Sequence, residues 1–219
     1  MIVWLASILG GTACGDKPLT QWTTEICMSD QPRLPGLGDP PESKHRLFLA
    51  ALPDAEAIAK LRDRTQILKT QHGLKGTSVI DERLHVSLID LGDHPDLPSS
   101  LLEAIRRGVA RVSSPAFDVV FDQAELFPRS GALFLKETVR GDGFSTLKKS
   151  LAASLKAEGA RCRQSPTPHI TLLYDRKAVS RQPVETVAWS VKEFVLVHSE
   201  IGNAARPYEI LGRWPLQIV

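Results

Sequence analysis

The stretches "LHVSLID" (84–90) and "PHITLLYD" (168–175) each place a histidine two residues ahead of a hydroxyl, with leucine next. The two histidines, His85 and His169, stand 84 positions apart. On a strand the side chains of residues i and i+2 share a face, whereas on a helix they diverge. The spacing therefore makes chemical sense only in β structure. His85 and Ser87 project together while Val86 and Leu88 point into a core behind them, and His169 and Thr171 do the same, backed by Ile170 and Leu172. If the two strands lie near one another, a single cleft receives two imidazoles and two hydroxyls.

That set suits a phosphodiester. One imidazolium can protonate a departing alkoxide, and one neutral imidazole can take a proton from attacking water or hydroxyl. Imidazole is the side chain whose ordinary pKa lets both forms exist near neutral pH. Hydroxyls can donate to the non-bridging oxygens, where charge builds up in the transition state. The scheme requires no metal or other cofactor, and a zinc site on His85 and His169 would need a third ligand that the spacing does not supply. A lone strand histidine is mostly structural, so the repetition carries the inference. His45, His72, His94 and His198 have no such partner in sequence and are read as surface or loop residues. H-E-x-x-H, the P-loop pattern and G-x-S-x-G do not occur.

Between the motifs, apolar spacing predicts helices over 55–69, capped by Asp54, and over 100–112. A third helix follows a predicted Asp142 cap and stops at Gly159. Strands are expected at "RLFLAAL", "AFDVVFDQAELF", "GALFLKE", "WSVKEFVLVHS" and "YEILGRWPL", besides the two motif strands. The mixture is α+β, and each half holds a strand, a helix and one motif strand, which suggests two related lobes. Residues 1–43 read differently. Five prolines and two glycines between 18 and 41 indicate an extended leader without its own core, and the folded domain is expected over 44–219.

The formal net charge of +2 excludes a polycationic coat but not a local basic patch. Residues 136–163 carry seven Lys/Arg against three Asp/Glu. Lys148, Lys149 and Lys156 in that segment fit a solvated helix face equally well. Cys14, Cys27 and Cys162 form no C-x-x-C pair, which favours a reducing compartment, and a cytoplasmic location is expected. The apolar run Ile2–Leu9 before Cys14 is faintly signal-like, but no Lys or Arg precedes it. No run is long enough to span a membrane as a helix.

The order and spacing of these segments over about residues 45–217 resemble the two-histidine (2H) phosphoesterases, and among them the LigT-like RNA 2′,3′-cyclic phosphodiesterases, also called 2′-5′ RNA ligases. "HRLFLAALP" is similar to the family's opening strand, "LHVSLIDLG" and "TPHITLLYD" to its two H-x-T-x motifs, and "ARPYEILGRWPL" to its closing strand. The resemblance implies a bilobal α+β fold, two pseudo-symmetric lobes of antiparallel sheet plus helices around a central cleft. It implies metal-independent opening of an RNA 2′,3′-cyclic phosphate to a 2′-phosphate; separately, the protein is expected to be a monomer. His85 would then be the proton donor, His169 the proton acceptor, and Ser87 and Thr171 the phosphate-binding hydroxyls. Arg129, Arg161, Arg163 and Tyr208 are the candidate substrate contacts, and Phe48 could stack on a base but fits the core better. Three positions depart from the pattern: Ser87 replaces the usual threonine, Asp90 an aromatic residue, and Tyr174 an arginine, with Arg176 two residues on. The alternatives are a 2′-5′ ligase using the same site, a hydrolase of another small cyclic nucleotide, and a non-catalytic RNA-end-binding module.

Overall fold

The computed structural model describes residues 44–138, 141–165 and 167–217; the leader, with Cys14 and Cys27, lies outside them. In chain order the elements are β1 (His45–Ala51), α1 (Ala55–His72), β2 (Thr77–Ser78), a 3₁₀ turn (Asp81–Arg83), β3 (Val86–His94), α2 (Ser99–Ala110), β4 (Phe117–Phe127), β5 (Ala132–Lys136), α3 (Gly143–Ala157), β6 (Arg163–Gln164), β7 (His169–Tyr174), β8 (Gln182–Val191), β9 (Glu193–Glu200) and β10 (Glu209–Pro215). They build two five-stranded sheets of order β10-β9-β1-β3-β6 and β2-β7-β5-β4-β8, with antiparallel pairing throughout. This is the bilobal α+β architecture expected from the sequence, with one motif strand in each sheet.

Local chemistry explains most boundaries. Asp54 accepts from the Ala57 amide at 2.8 Å and caps α1, and Gly73 ends it in the left-handed region at φ +58°. The Asp142 cap does not form: its backbone is already helical, and α3 starts with no side-chain cap. "WSVKEFVLVHS", read as one strand, is two. The chain leaves the second sheet at Val191 and joins the first at Glu193, so Trp189 and Val195 belong to different lobes. Helices α2 and α3 pack together, with α3 against β3, while α1 lies against β7 and β8. Val86, Leu88, Ile170 and Leu172 face this helix side and are fully buried.

Both motif strands carry an irregularity at the same place. In the first sheet Ala50 pairs with Ser87 but Leu49 pairs with Ile89, so Leu88 is an extra residue. In the second sheet Phe134 pairs with Thr171 but Leu133 pairs with Leu173, so Leu172 is extra. A bulge shifts the alternation by one. Ile89 and Leu173 therefore join the core beside Leu88 and Leu172, and Asp90 and Tyr174 turn to the face that carries the histidines.

The strand β6 joins the lobes. It pairs with β3 through Ile89–Gln164 and Asp90–Arg163, and the Ser165 amide donates to the Leu88 carbonyl at 3.0 Å. Four residues later the chain is β7. Lys148 of α3 holds this junction: its side chain is only 6% exposed and its Nζ donates to the Ser165 carbonyl at 2.8 Å. The expectation of a solvated Lys148 is corrected accordingly, because α3 turns this residue inward toward the junction. Lys148→Met keeps the volume and removes the donor. Since the Ser165 acceptor is only partly buried, it is expected to lower unfolding free energy by about 0.5–1.5 kcal/mol, the net worth of a typical hydrogen bond; urea unfolding measures it.

Candidate active site

His85 stands one residue before β3, and His169 opens β7. The two rings are held alike. His85 Nδ1 lies 2.8 Å from the Arg83 carbonyl, and His169 Nδ1 lies 2.8 Å from the Thr167 carbonyl, in each case two residues back. A carbonyl only accepts, so Nδ1 carries the hydrogen and donates. Each neutral ring thus presents an unprotonated Nε2. In the first lobe that nitrogen accepts from the Ser87 hydroxyl at 3.0 Å. All four motif side chains are half-buried, with one side in the core and one toward the cleft.

Aromatic rings brace each imidazole. Phe48 and Tyr208 lie with centroids 5.0 and 5.3 Å from His85, and Phe48 packs edge-on to Tyr208. Phe48, Ala50, Val195 and Val197 form a small apolar cluster on the cleft face, so Phe48 is a buried support under His85. Phe127 and Phe134 stack on one another and present edges to His169 at 5.2 and 5.3 Å. Lys136 lies directly across from His169 in the ladder, its ammonium engaged by Glu125.

Arg83 fixes the first lobe from behind. Its guanidinium lies 4.1 Å from the Tyr208 ring centroid and donates to the Asn203 and Arg206 carbonyls and to the Ser199 hydroxyl. Sequence reasoning missed Arg83, although its position two residues before His85 puts its carbonyl and its charge at the site. Of the arginines that were expected, Arg163 reaches the cleft face but is bound to Asp90 at 2.6 Å. Arg129 lines a separate pocket of the second lobe. Arg161 is exposed in the stretch leading to β6. Tyr208 is where it was expected, against His85.

The other histidines are not surface residues throughout. His198 is 6% exposed, its Nδ1 2.7 Å from Glu209 Oε2 and its Nε2 2.9 Å from His45 Nδ1. His72 is bonded to Gln182 and His94 to the Leu91 carbonyl. Strand pairing between β1, β9 and β10 brings the His45–His198–Glu209 chain together, and local sequence cannot show that. Among the described residues, no three His, Cys, Asp or Glu are grouped to hold a metal, and no helix is long and apolar enough to cross a membrane.

Burial pushes the pKa of His85 down to about 4; the Arg83 carbonyl bond opposes this, and the charges of His169 and Arg83 add to it. Strands β3 and β7 are in contact, so the two motif segments are neighbours in space.

These features coincide with a family pattern. Residues 51–203 match the 2′-5′ RNA ligase superfamily. The chain belongs to that superfamily. Its fold is that of Escherichia coli LigT in complex with 3′-AMP, at 27% identity and a TM-score of 0.65, covering 80% of this chain and 99% of LigT. A structure described as a phosphoesterase matches at 28% identity and 0.65 over the same shares. TT0787 of Thermus thermophilus matches at 25% and 0.58, covering 79% and 98%. No curated protein matches significantly. The recognised 2H phosphoesterase fold is thus shared with relatives that span nearly their whole length on this chain.

Two consequences of the His85 environment can be measured. The fold disfavours the protonated ring, so the unfolded chain binds more protons. Stability from this group is complete above about pH 6.5 and is lost as pH falls toward 4. In the free protein the ring is neutral at pH 7. A phosphodiester anion about 4 Å away favours the imidazolium by about 4 kcal/mol at an effective dielectric of 20, roughly three pKa units. NMR titration of His85 is therefore expected to show a midpoint near 4 in the free protein, rising by about 2–3 units with a bound 2′-phosphorylated nucleotide. A midpoint that stays put would mean that no phosphate binds beside His85.

Proposed function

We propose that the protein hydrolyses 2′,3′-cyclic phosphate ends of RNA to 2′-phosphates, with water as nucleophile. The observation that carries this reading is the pair of imidazoles with unprotonated Nε2 atoms, each fixed through Nδ1 to the carbonyl two residues back. Membership of the superfamily and the likeness to a LigT that binds 3′-AMP support a nucleotide substrate.

His169 Nε2 takes a proton from water as the water oxygen forms a bond to phosphorus. The bond from phosphorus to O3′ breaks, and His85 Nε2–H gives its proton to that oxygen. Ser87 and Thr171 donate to the non-bridging oxygens. His169 then loses its proton to solvent, and His85, left neutral as in the free protein, takes up a proton again when the next substrate anion binds. The low proton affinity of His85 suits this cycle. The ring acquires its proton when the substrate anion arrives and can then give it to the leaving alkoxide. Ser87, which donates to His85 in the free protein, is released to the phosphate once that nitrogen is protonated.

The test is incubation with a short RNA ending in a 2′,3′-cyclic phosphate, followed by product mapping. A 2′-phosphate is expected, and His85→Ala or His169→Ala should lower the rate about 10²–10⁴-fold with a native circular dichroism spectrum. A product that is wholly 3′-phosphate would exchange the two roles. Unfolding of either variant would make its imidazole structural.

A further inference from the structure

Three cations of the second lobe meet where no carboxylate is paired with them. Lys75 comes from the loop after α1, Arg129 from the β4–β5 turn and Arg176 from the segment after β7. Together they line a pocket of about 820 Å³ whose rim includes Tyr174. Most arginines in the described chain have a carboxylate partner, Arg46, Arg107 and Arg213 among them. Lys75, Arg129 and Arg176 make no ion pair among the described residues. The one acid in the pocket, Asp175, is turned to structure: its oxygens accept from the amides of Lys75, Gly76 and Lys177.

The pocket is built rather than incidental. The Asp175 amide donates to the Gly131 carbonyl at 2.9 Å, and Asp175 Oδ2 grips the Lys75–Gly76 amides, so three separate loops are knitted at one point. Neither Gly76 nor Gly131 has room for a side chain. A Cβ at Gly76 would lie 1.9 Å from the Tyr174 carbonyl oxygen, and one at Gly131, where φ is +69°, 2.4 Å from that of Asp175.

The Leu172 bulge connects this pocket to the cleft. It turns Tyr174, 52% exposed, to the same face as His169 and Thr171, across from Ala132. Tyr174 lies three residues along the strand from Thr171, about 10 Å. We infer that the pocket of Lys75, Arg129 and Arg176, with Tyr174 as a stacking platform, holds the single-stranded RNA body upstream of the reacting phosphate. This rests on the cyclic-phosphate reading and adds where the RNA behind the reacting end is held, so that an oligonucleotide is preferred to a cyclic mononucleotide. Unpaired cations track backbone phosphates, and an exposed aromatic face accepts any base.

Two measurements on the full chain test it. The first compares kcat/KM for a cyclic mononucleotide and for a hexanucleotide ending in 2′,3′-cyclic phosphate. The hexanucleotide is expected to be better by at least about 10-fold, and K75A/R129A/R176A should erase most of that ratio. The second is fluorescence anisotropy with a labelled hexanucleotide that already ends in 2′-phosphate, which needs no turnover. The slope of log affinity against log salt should become shallower by about 0.7 per cation removed, so by about 2 in the triple variant. Tyr174→Ala should weaken binding about 10-fold, and Tyr174→Phe should restore it. A wild-type length ratio near one, or a triple variant with unchanged slope, would overturn the inference. Absence of turnover with the anisotropy result intact would instead remove the hydrolytic reading and leave the RNA site standing. An unchanged slope with tight binding of inorganic phosphate would overturn it in favour of a small-anion site.

Discussion

Two backbone carbonyls set the chemistry of the cleft. The Arg83 and Thr167 carbonyls each take the Nδ1 hydrogen of a histidine two residues on, at 2.8 Å in both lobes. Without those bonds either ring could flip or change tautomer, and Nε2 would have no fixed direction. With them, two nitrogens of the same kind are presented by two different sheets. The rest of the fold keeps these carbonyls in place. The 3₁₀ turn Asp81–Arg83 ends at the first, anchored by Arg83, whose side chain ties the turn to the β9–β10 connection. The junction through β6 and Ser165 leads to the second, anchored by buried Lys148.

The lobes are alike in backbone and unlike in surroundings. Each has a histidine, a hydroxyl, an extra leucine and then a residue turned into the cleft. In the first lobe that residue is Asp90, neutralised by Arg163; in the second it is Tyr174, open to solvent. His85 sits on an apolar bed with Arg83 behind it, which disfavours its charged form. Placing like groups on similar scaffolds in different surroundings is how one site sets an acid apart from a base.

Much of this was legible in the chain. The i, i+2 spacing of His85 with Ser87 and of His169 with Thr171 required strands, and Ile58, Leu61, Thr65 and Leu68 required a helix. The misses have physical reasons. β2 and β6 are two residues long, too short for any periodicity, yet β6 joins the motif strands. The break at Lys192 changes sheets without a glycine or proline to mark it. The bulges did leave a trace, since Leu88-Ile89 and Leu172-Leu173 are adjacent apolar pairs where strict alternation expects one inward residue. Read that way, Asp90 and Tyr174 would have been placed in the cleft. Arg83, the buried Lys148 and the His45–His198–Glu209 chain depend on contacts between residues far apart in sequence, which no local pattern records.

The central claim is that His85 and His169 act as a unit on one phosphate. A double-mutant cycle on the rate of cyclic-phosphate opening tests it most directly. If the claim holds, His85→Ala combined with His169→Ala costs little more than the worse single change, because removing either partner already disables the pair. If the two losses simply multiply, the histidines work independently and the shared cleft is not the catalytic centre.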